Sequence, residues 1–303
     1  MKSQPAIATY RLALPLAVGF AAVVWMLNSG IGVEAALGFL CAAVAVYLMA
    51  ELNNAFALLR VSSRMVSTVL TLLLAAAPML QPLQTGHAVL LAGVAMYFPL
   101  FASYQSVHMP VLPFLTMLIV GTASLFFPLL VLAVPVLWIS SAVLRALSFR
   151  CWAASVLGLL LPYWIGVAVV FCIDRMDVAQ AWMQPFTHWT LPDYTFVSVG
   201  QWVVLAVVML VFAVGAVDFF LKATLDRTRT RMMYKVVVFH GVAAVVWLLL
   251  QPQHINVLLP LLMVPASITG GHFSALSGGK VQHIVKLVLL LLLLGSAFSP
   301  WWC

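Results

Sequence analysis

The stretch ELNNAFALLRVSSR, residues 51–64, is where the apolar character of this chain first breaks. Two amides (Asn53, Asn54), two arginines (Arg60, Arg64) and two serines (Ser62, Ser63) stand between runs made mostly of Leu, Val and Ala. Polar groups at this density are costly inside hydrocarbon, so the stretch reads as a connection at a membrane surface. It also sets the orientation of its neighbours, because arginines in short loops are retained on the cytoplasmic side.

The rest of the chain repeats the pattern. Hydrophobic residues make up 65% of the 303 positions and charged residues 7%, where soluble domains carry about 25% charge. Apolar runs recur along the whole length at sizes suited to a hydrocarbon core of ~30 Å. Only helices and closed barrels satisfy every backbone group in lipid, and these runs lack the alternation of a barrel strand. The sequence therefore predicts an all-α, polytopic integral membrane helical bundle, with residues 1–303 forming a single integral membrane domain.

Hydropathy places helices at about 12–27, 33–50, 65–80, 88–103, 111–126, 129–144, 151–173, 199–221, 236–250, 255–269 and 284–299. That is about eleven transmembrane helices, with nine as the alternative. Lys2 and Arg11 ahead of the first run resemble a signal sequence; no small-residue cleavage site follows, and the run is read as a retained first helix. With the N-terminus in the cytoplasm, thirteen of the fourteen Lys and Arg fall on the inner side and only Arg175 lies outside. The positive-inside rule favours that orientation.

The net charge of +7 does not point to nucleic acid, because the basic residues are spread over several short loops. Membrane lipids are the expected partners, with anionic lipid at the cytoplasmic face. The four cysteines (Cys41, Cys151, Cys172, Cys303) are scattered and form no CxxC. They read as small hydrophobes rather than as a disulfide framework.

Candidate chemistry is sparse. Asn53, Asn54, Arg60 and Arg64 are the candidate ligand-binding residues. Two arginines four apart on a helix would share a face and match phosphate oxygens, while the plainer reading anchors them among headgroups. The seven histidines (His87, His108, His188, His240, His254, His272, His283) have no metal-ligand spacing, so no metal and no cofactor are expected. Glu34, in the first external loop, is the one carboxylate placed where a lipid-linked sugar transferase would carry one; a helix N-terminus also suits it. Asp218 lies inside an apolar run with Lys222 four residues on, a spacing that favours a structural pair.

Three further stretches stand out. GGHFSALSGGK, residues 270–280, resembles a phosphate loop but lacks the first glycine and the final Ser or Thr, so residues 270–283 read as a Gly-rich cytoplasmic connector. KATLDRTRTRMMYK, residues 222–235, carries five basic residues and one acid, explained by orientation and anionic headgroups. Residues 174–198 form the longest interval, acidic and aromatic, with Asp174, Asp177, Asp193, Trp182 and Trp189. They read as an interfacial belt or as a lid over an external cavity.

ELNNAFALLRVSSRMVST, followed by TASLFFPLLVLAVP and GLLLPYW, resembles an uncharacterised bacterial family of polytopic inner-membrane proteins over roughly residues 51–165. The resemblance implies an inner-membrane location and no catalytic residue. Three function classes follow. The first is a non-enzymatic membrane component or transporter handling a lipid or amphipathic solute. The second is a membrane-embedded transferase on a lipid-linked phosphate or sugar substrate, with Glu34 at its site. The third is a structural subunit of an envelope complex. No nucleophile–base pair appears, so the reading leans away from an enzyme.

Overall fold

The computed structural model describes residues 12–30, 32–187 and 192–302. Lys2, Arg11, His188, Trp189 and Cys303 lie outside the described residues. Among the described residues the fold is helical throughout, with no strand. Six helices are long and apolar enough to cross a membrane: Val33–Phe56, Thr85–Ala102, Phe149–Cys172, Val199–Leu225, Thr228–Leu250 and Pro252–Leu276. Shorter apolar helices cover Ala13–Ser29, Met65–Ala75, Val111–Ser124 and Pro128–Val143.

In chain order the α-helices are α1 (Ala13–Ser29), α2 (Val33–Phe56), α3 (Met65–Ala75), α4 (Thr85–Ala95), α5 (Tyr97–Ala102), α6 (Val111–Ser124), α7 (Val134–Val143), α8 (Phe149–Cys172) and α9 (Met176–Thr187). They continue with α10 (Val199–Lys222), α11 (Thr228–Leu250), α12 (Ile255–Leu276), α13 (Lys280–Ser296) and α14 (Ser299–Trp302). The chain divides into two compact units: residues 1–90 with 194–303, and residues 91–193.

In the first unit α12 is the hub. It packs against α10, α11 and α3, and α3 packs in turn against α1 and α2. Small residues set these crossings. A Cβ on Gly215 of α10 would stand 2.5 Å from the Thr269 carbonyl carbon and 2.7 Å from the Gly270 nitrogen. A Cβ on Gly271 would stand 2.7 Å from the Val66 Cα. Backbones can approach this closely only where side chains are missing, as at glycine-bearing membrane helix crossings. The polar side chains beside these glycines are brought together as a result.

In the second unit α6 and α8 form the main pair. Gly121 faces the Leu159 backbone and Gly158 faces the Phe114 backbone, so each helix presents a glycine to the other. The Tyr163 hydroxyl donates to Ser124 Oγ at 2.9 Å across this pair. The interval after α8 begins with α9, whose Trp182 ring lies edge-on to Tyr163 at 5.7 Å.

Several helix limits differ from the sequence reading, each for a local reason. Helix α2 runs to Phe56 and stops where Ala57 takes a left-handed conformation at φ 47°. Asn53 and Asn54 therefore belong to its last turn rather than to a loop. Helix α3 covers only eleven residues, about 16 Å of rise, and yields to a 3-10 turn at Pro78. The run from Pro128 begins as a 3-10 segment before α7.

The largest correction concerns residues 270–276. They were expected as a connector and are instead the last two turns of α12, buried against α3 and α10. The two glycines that suggested a loop are there for close packing.

Candidate functional site

The first unit gathers charge at one end, where α2, α10 and α12 finish and α3 and α11 begin. Asp218, one turn from the C-terminus of α10, is 10% exposed at its side chain and pairs with Lys222 four residues on. Its other oxygen, Oδ2, accepts from the Ser277 hydroxyl at 2.8 Å, and Lys222 also reaches Ser277 Oγ. The pairing expected from sequence is present, but it is one edge of a larger cluster.

After α10 a 3-10 turn carries the chain to Asp226, whose side chain is 1% exposed. Arg60, from the irregular segment after α2, places Nε 2.6 Å from Asp226 Oδ1. That contact is an ion pair rather than an aligned hydrogen bond, since Oδ1 has no hydrogen-bond donor. Asp226 Oδ2 lies 3.3 Å from His272 Nε2 on α12. His272 is wholly buried, and its Nδ1 lies 3.9 Å from Asp218 Oδ2. The imidazole thus lies between the two carboxylates, within hydrogen-bond distance of Asp226 and at ion-pair distance from Asp218.

Aromatic rings wall the histidine. Tyr234 of α11 stacks on Phe219 of α10 with centroids 4.8 Å apart. His272 meets Tyr234 edge-on at 5.0 Å and Phe219 edge-on at 5.7 Å. The Tyr234 hydroxyl is buried without a hydrogen-bond partner. Asn53 Oδ1, Ser67 Oγ and His272 Nδ1 share that condition at the same end of the unit. Buried polar atoms are ordinarily satisfied, and groups that are not are a recurrent mark of functional sites. Outside the ring of aromatics, Lys286 of α13 donates to the carbonyls of Ser274 at 2.8 Å and Ser277 at 2.6 Å.

The four residues singled out from sequence separate. Arg60 joins the cluster. Asn53 is buried in the last turn of α2 and donates to the Ser63 carbonyl at 3.1 Å. Asn54 is exposed on the other side of α2. Arg64 is exposed just before α3, its carbonyl accepting from Thr68. Residues 57–64 are not helical, so Arg60 and Arg64 do not share a helix face. The reason is the left-handed Ala57, which ends α2 ahead of both.

Asp226 and His272 escaped the sequence reading. Asp226 is a lone acid among five basic residues, and His272 sits among glycines that mimic a loop. The available signal was an ionisable residue inside a membrane helix, which marks a candidate site by default. Glu34 is exposed on the first turn of α2, and its carbonyl accepts from Leu83 N at 3.1 Å. Among the described residues no group of three or more His, Cys, Asp or Glu is placed to hold a metal ion.

At the opposite end of the same unit lies a cavity of about 520 Å³ lined by Asn28, Met79, Ser198, Gln201 and Ser299, among others. It carries no charged group. The ionised chemistry of the unit is thus concentrated at one end.

Comparison with protein-family models, with curated proteins and with solved structures returns no match. The class defined by fold and site is an all-helical protein with several membrane-length apolar helices and a buried ionised cluster.

Proposed function

We propose that this chain is a multi-pass bacterial inner-membrane protein that binds and moves a negatively charged lipid or amphipathic solute without covalent chemistry. The observation that supports this reading is the buried Arg60–Asp226–His272–Asp218–Lys222 cluster. Charged side chains buried where helices converge are costly, and an ionisable residue within a membrane helix, as Asp218 and His272 are, marks a candidate site. Arg60 fits the role of solute contact: its Nε stands against Asp226, and its side chain is 35% exposed. A partly exposed guanidinium matches a phosphate or carboxylate.

In this reading the N-terminus is cytoplasmic and the cluster lies at the cytoplasmic face, consistent with the basic residues around it. The six long helices, the four shorter apolar ones and α13 supply eleven spans, the shortest lying where the bilayer thins around the site.

Native mass spectrometry of the purified protein tests the reading, with wild type beside the charge-neutral double variant Arg60→Gln/Asp226→Asn. The expected result is an anionic lipid or amphiphile retained by wild type and lost from the variant. Identical bound species in both would overturn it.

A further inference from the structure

His272 is not needed to hold an anion, yet it is the centre of the cluster. A neutral imidazole carries one N–H and one bare nitrogen. If Nε2 carries the hydrogen it donates to Asp226 Oδ2 at 3.3 Å, and the bare Nδ1 then faces Asp218 Oδ2 at 3.9 Å. If Nδ1 carries the hydrogen, the bare Nε2 opposes Asp226 instead. Either neutral tautomer sets a lone pair against a buried carboxylate. Only the imidazolium presents a hydrogen to both, within hydrogen-bond distance of Asp226 and at ion-pair distance from Asp218.

Asp218 and, behind it, Lys222 face His272 from α10; Asp226 faces it from the following turn, with Arg60 behind. Tyr234 faces it from α11. From α3, Val66 lies against the neighbouring Gly271 and carries no charge. Lys286 of α13 sits against the carbonyls one turn further along α12. Three cations and two carboxylates therefore surround a neutral histidine, and a proton adds one more positive charge. That surplus is relieved when an anion arrives at the partly exposed guanidinium of Arg60. Proton and anion then favour each other's binding, and thermodynamic linkage makes the effect reciprocal.

We propose that His272 is the proton-binding residue of this site and that its protonation is coupled to capture of the anionic solute at Arg60. The proton enters from water onto the lone pair of the bare ring nitrogen and leaves from the same atom, so no other bond is made or broken. The coupling rests on the solute reading given above; the proton site does not.

The two are separated by ¹⁵N NMR of the full-length protein labelled at histidine, with and without a short-chain phosphatidylglycerol as the anionic probe. The His272 signals are assigned by their loss in His272→Gln or, should that variant fail to fold, by replacing the other histidines in turn. Without the probe, the bare nitrogen of His272 is expected to gain a hydrogen on acidification. With the probe bound, a larger share of His272 is expected to carry both hydrogens in the same buffer. A nitrogen that stays bare under every condition in which the protein remains folded would overturn the proton site. Protonation indifferent to a probe that native mass spectrometry shows bound would overturn the coupling. A probe that does not bind would count against the solute reading and leave the proton site standing.

Discussion

The ion pair between Arg60 and Asp226 predicts an unequal response to mutation of its two halves. Asp226 is sealed, at 1% side-chain exposure, whereas the Arg60 side chain is 35% exposed. Arg60→Ala strands a buried carboxylate whose remaining partner is His272 at 3.3 Å. Removing one member of a buried pair costs about 3–5 kcal/mol, because the other charge stays desolvated. Asp226→Asn leaves Arg60 without a counter-charge, but a long, partly exposed side chain can turn its guanidinium outward. That loss is one charge-assisted contact, about 1–2 kcal/mol. In Arg60→Ala/Asp226→Asn no charge is stranded, so the double variant should be more stable than Arg60→Ala alone. Thermal unfolding of detergent-purified protein, followed by tryptophan fluorescence, gives the order: wild type, then Asp226→Asn and the double variant close together, then Arg60→Ala well below. Additive losses, or Asp226→Asn as the worst of the three, would refute the reasoning, since residues in contact should couple by about 0.5–3 kcal/mol.

Other perturbations follow from the same packing. Gly271→Ala should destabilise by about 1–2 kcal/mol in the same unfolding assay, because overpacking against the Val66 backbone outweighs the gain in helix propensity. Gly278→Ala, with nothing within 4 Å of the added carbon, should stay within about 0.5 kcal/mol of wild type. Tyr234→Phe keeps the ring stacked on Phe219 and removes a hydroxyl without a partner, so stability should hold or rise by up to about 1 kcal/mol; a loss instead would reveal a partner for that hydroxyl. Outside the membrane-spanning helices, Arg175 donates to Asp177 at 3.0 Å and holds its carboxyl below the usual range. Stability from that pair is present above the unfolded carboxyl's value and fades as pH falls through the lowered one. Both groups are fully exposed, so Arg175→Ala should move the Asp177 titration up by ¹³C NMR while leaving the unfolding midpoint unchanged.

The helices were legible because an apolar run long enough to cross lipid admits few other readings. The start of α2 at Val33 and the whole of α10 stand within a residue or so of their expected limits. Helix ends were legible only where a polar break coincided with a backbone break. Ala57 shows the opposite: a small apolar residue in a left-handed conformation closes α2 six residues past the expected end, and nothing in its chemistry announces it. The polar tail of α12 was misread because Gly270 and Gly271 look like loop residues until α3 and α10 are seen packed against them.

The site was visible only in pieces. Residues 51–64, 222–235 and 270–280 each drew attention, and each had a sufficient local explanation in anchoring, orientation or flexibility. What brings Arg60, Asp226 and His272 within hydrogen-bonding range is the convergence of three helix ends, a long-range property. Local periodicity carries no information about it.

The most direct test of the central claim is transport by the purified protein in sealed vesicles. The substrate is a fluorescent analogue of the anionic amphiphile retained in native mass spectrometry, and its exposure is read by a quencher that cannot cross the membrane. Wild type should expose the inner-leaflet probe to the quencher, and Arg60→Gln/Asp226→Asn should not. Wild-type vesicles that protect the inner-leaflet probe as well as protein-free vesicles do would contradict the account.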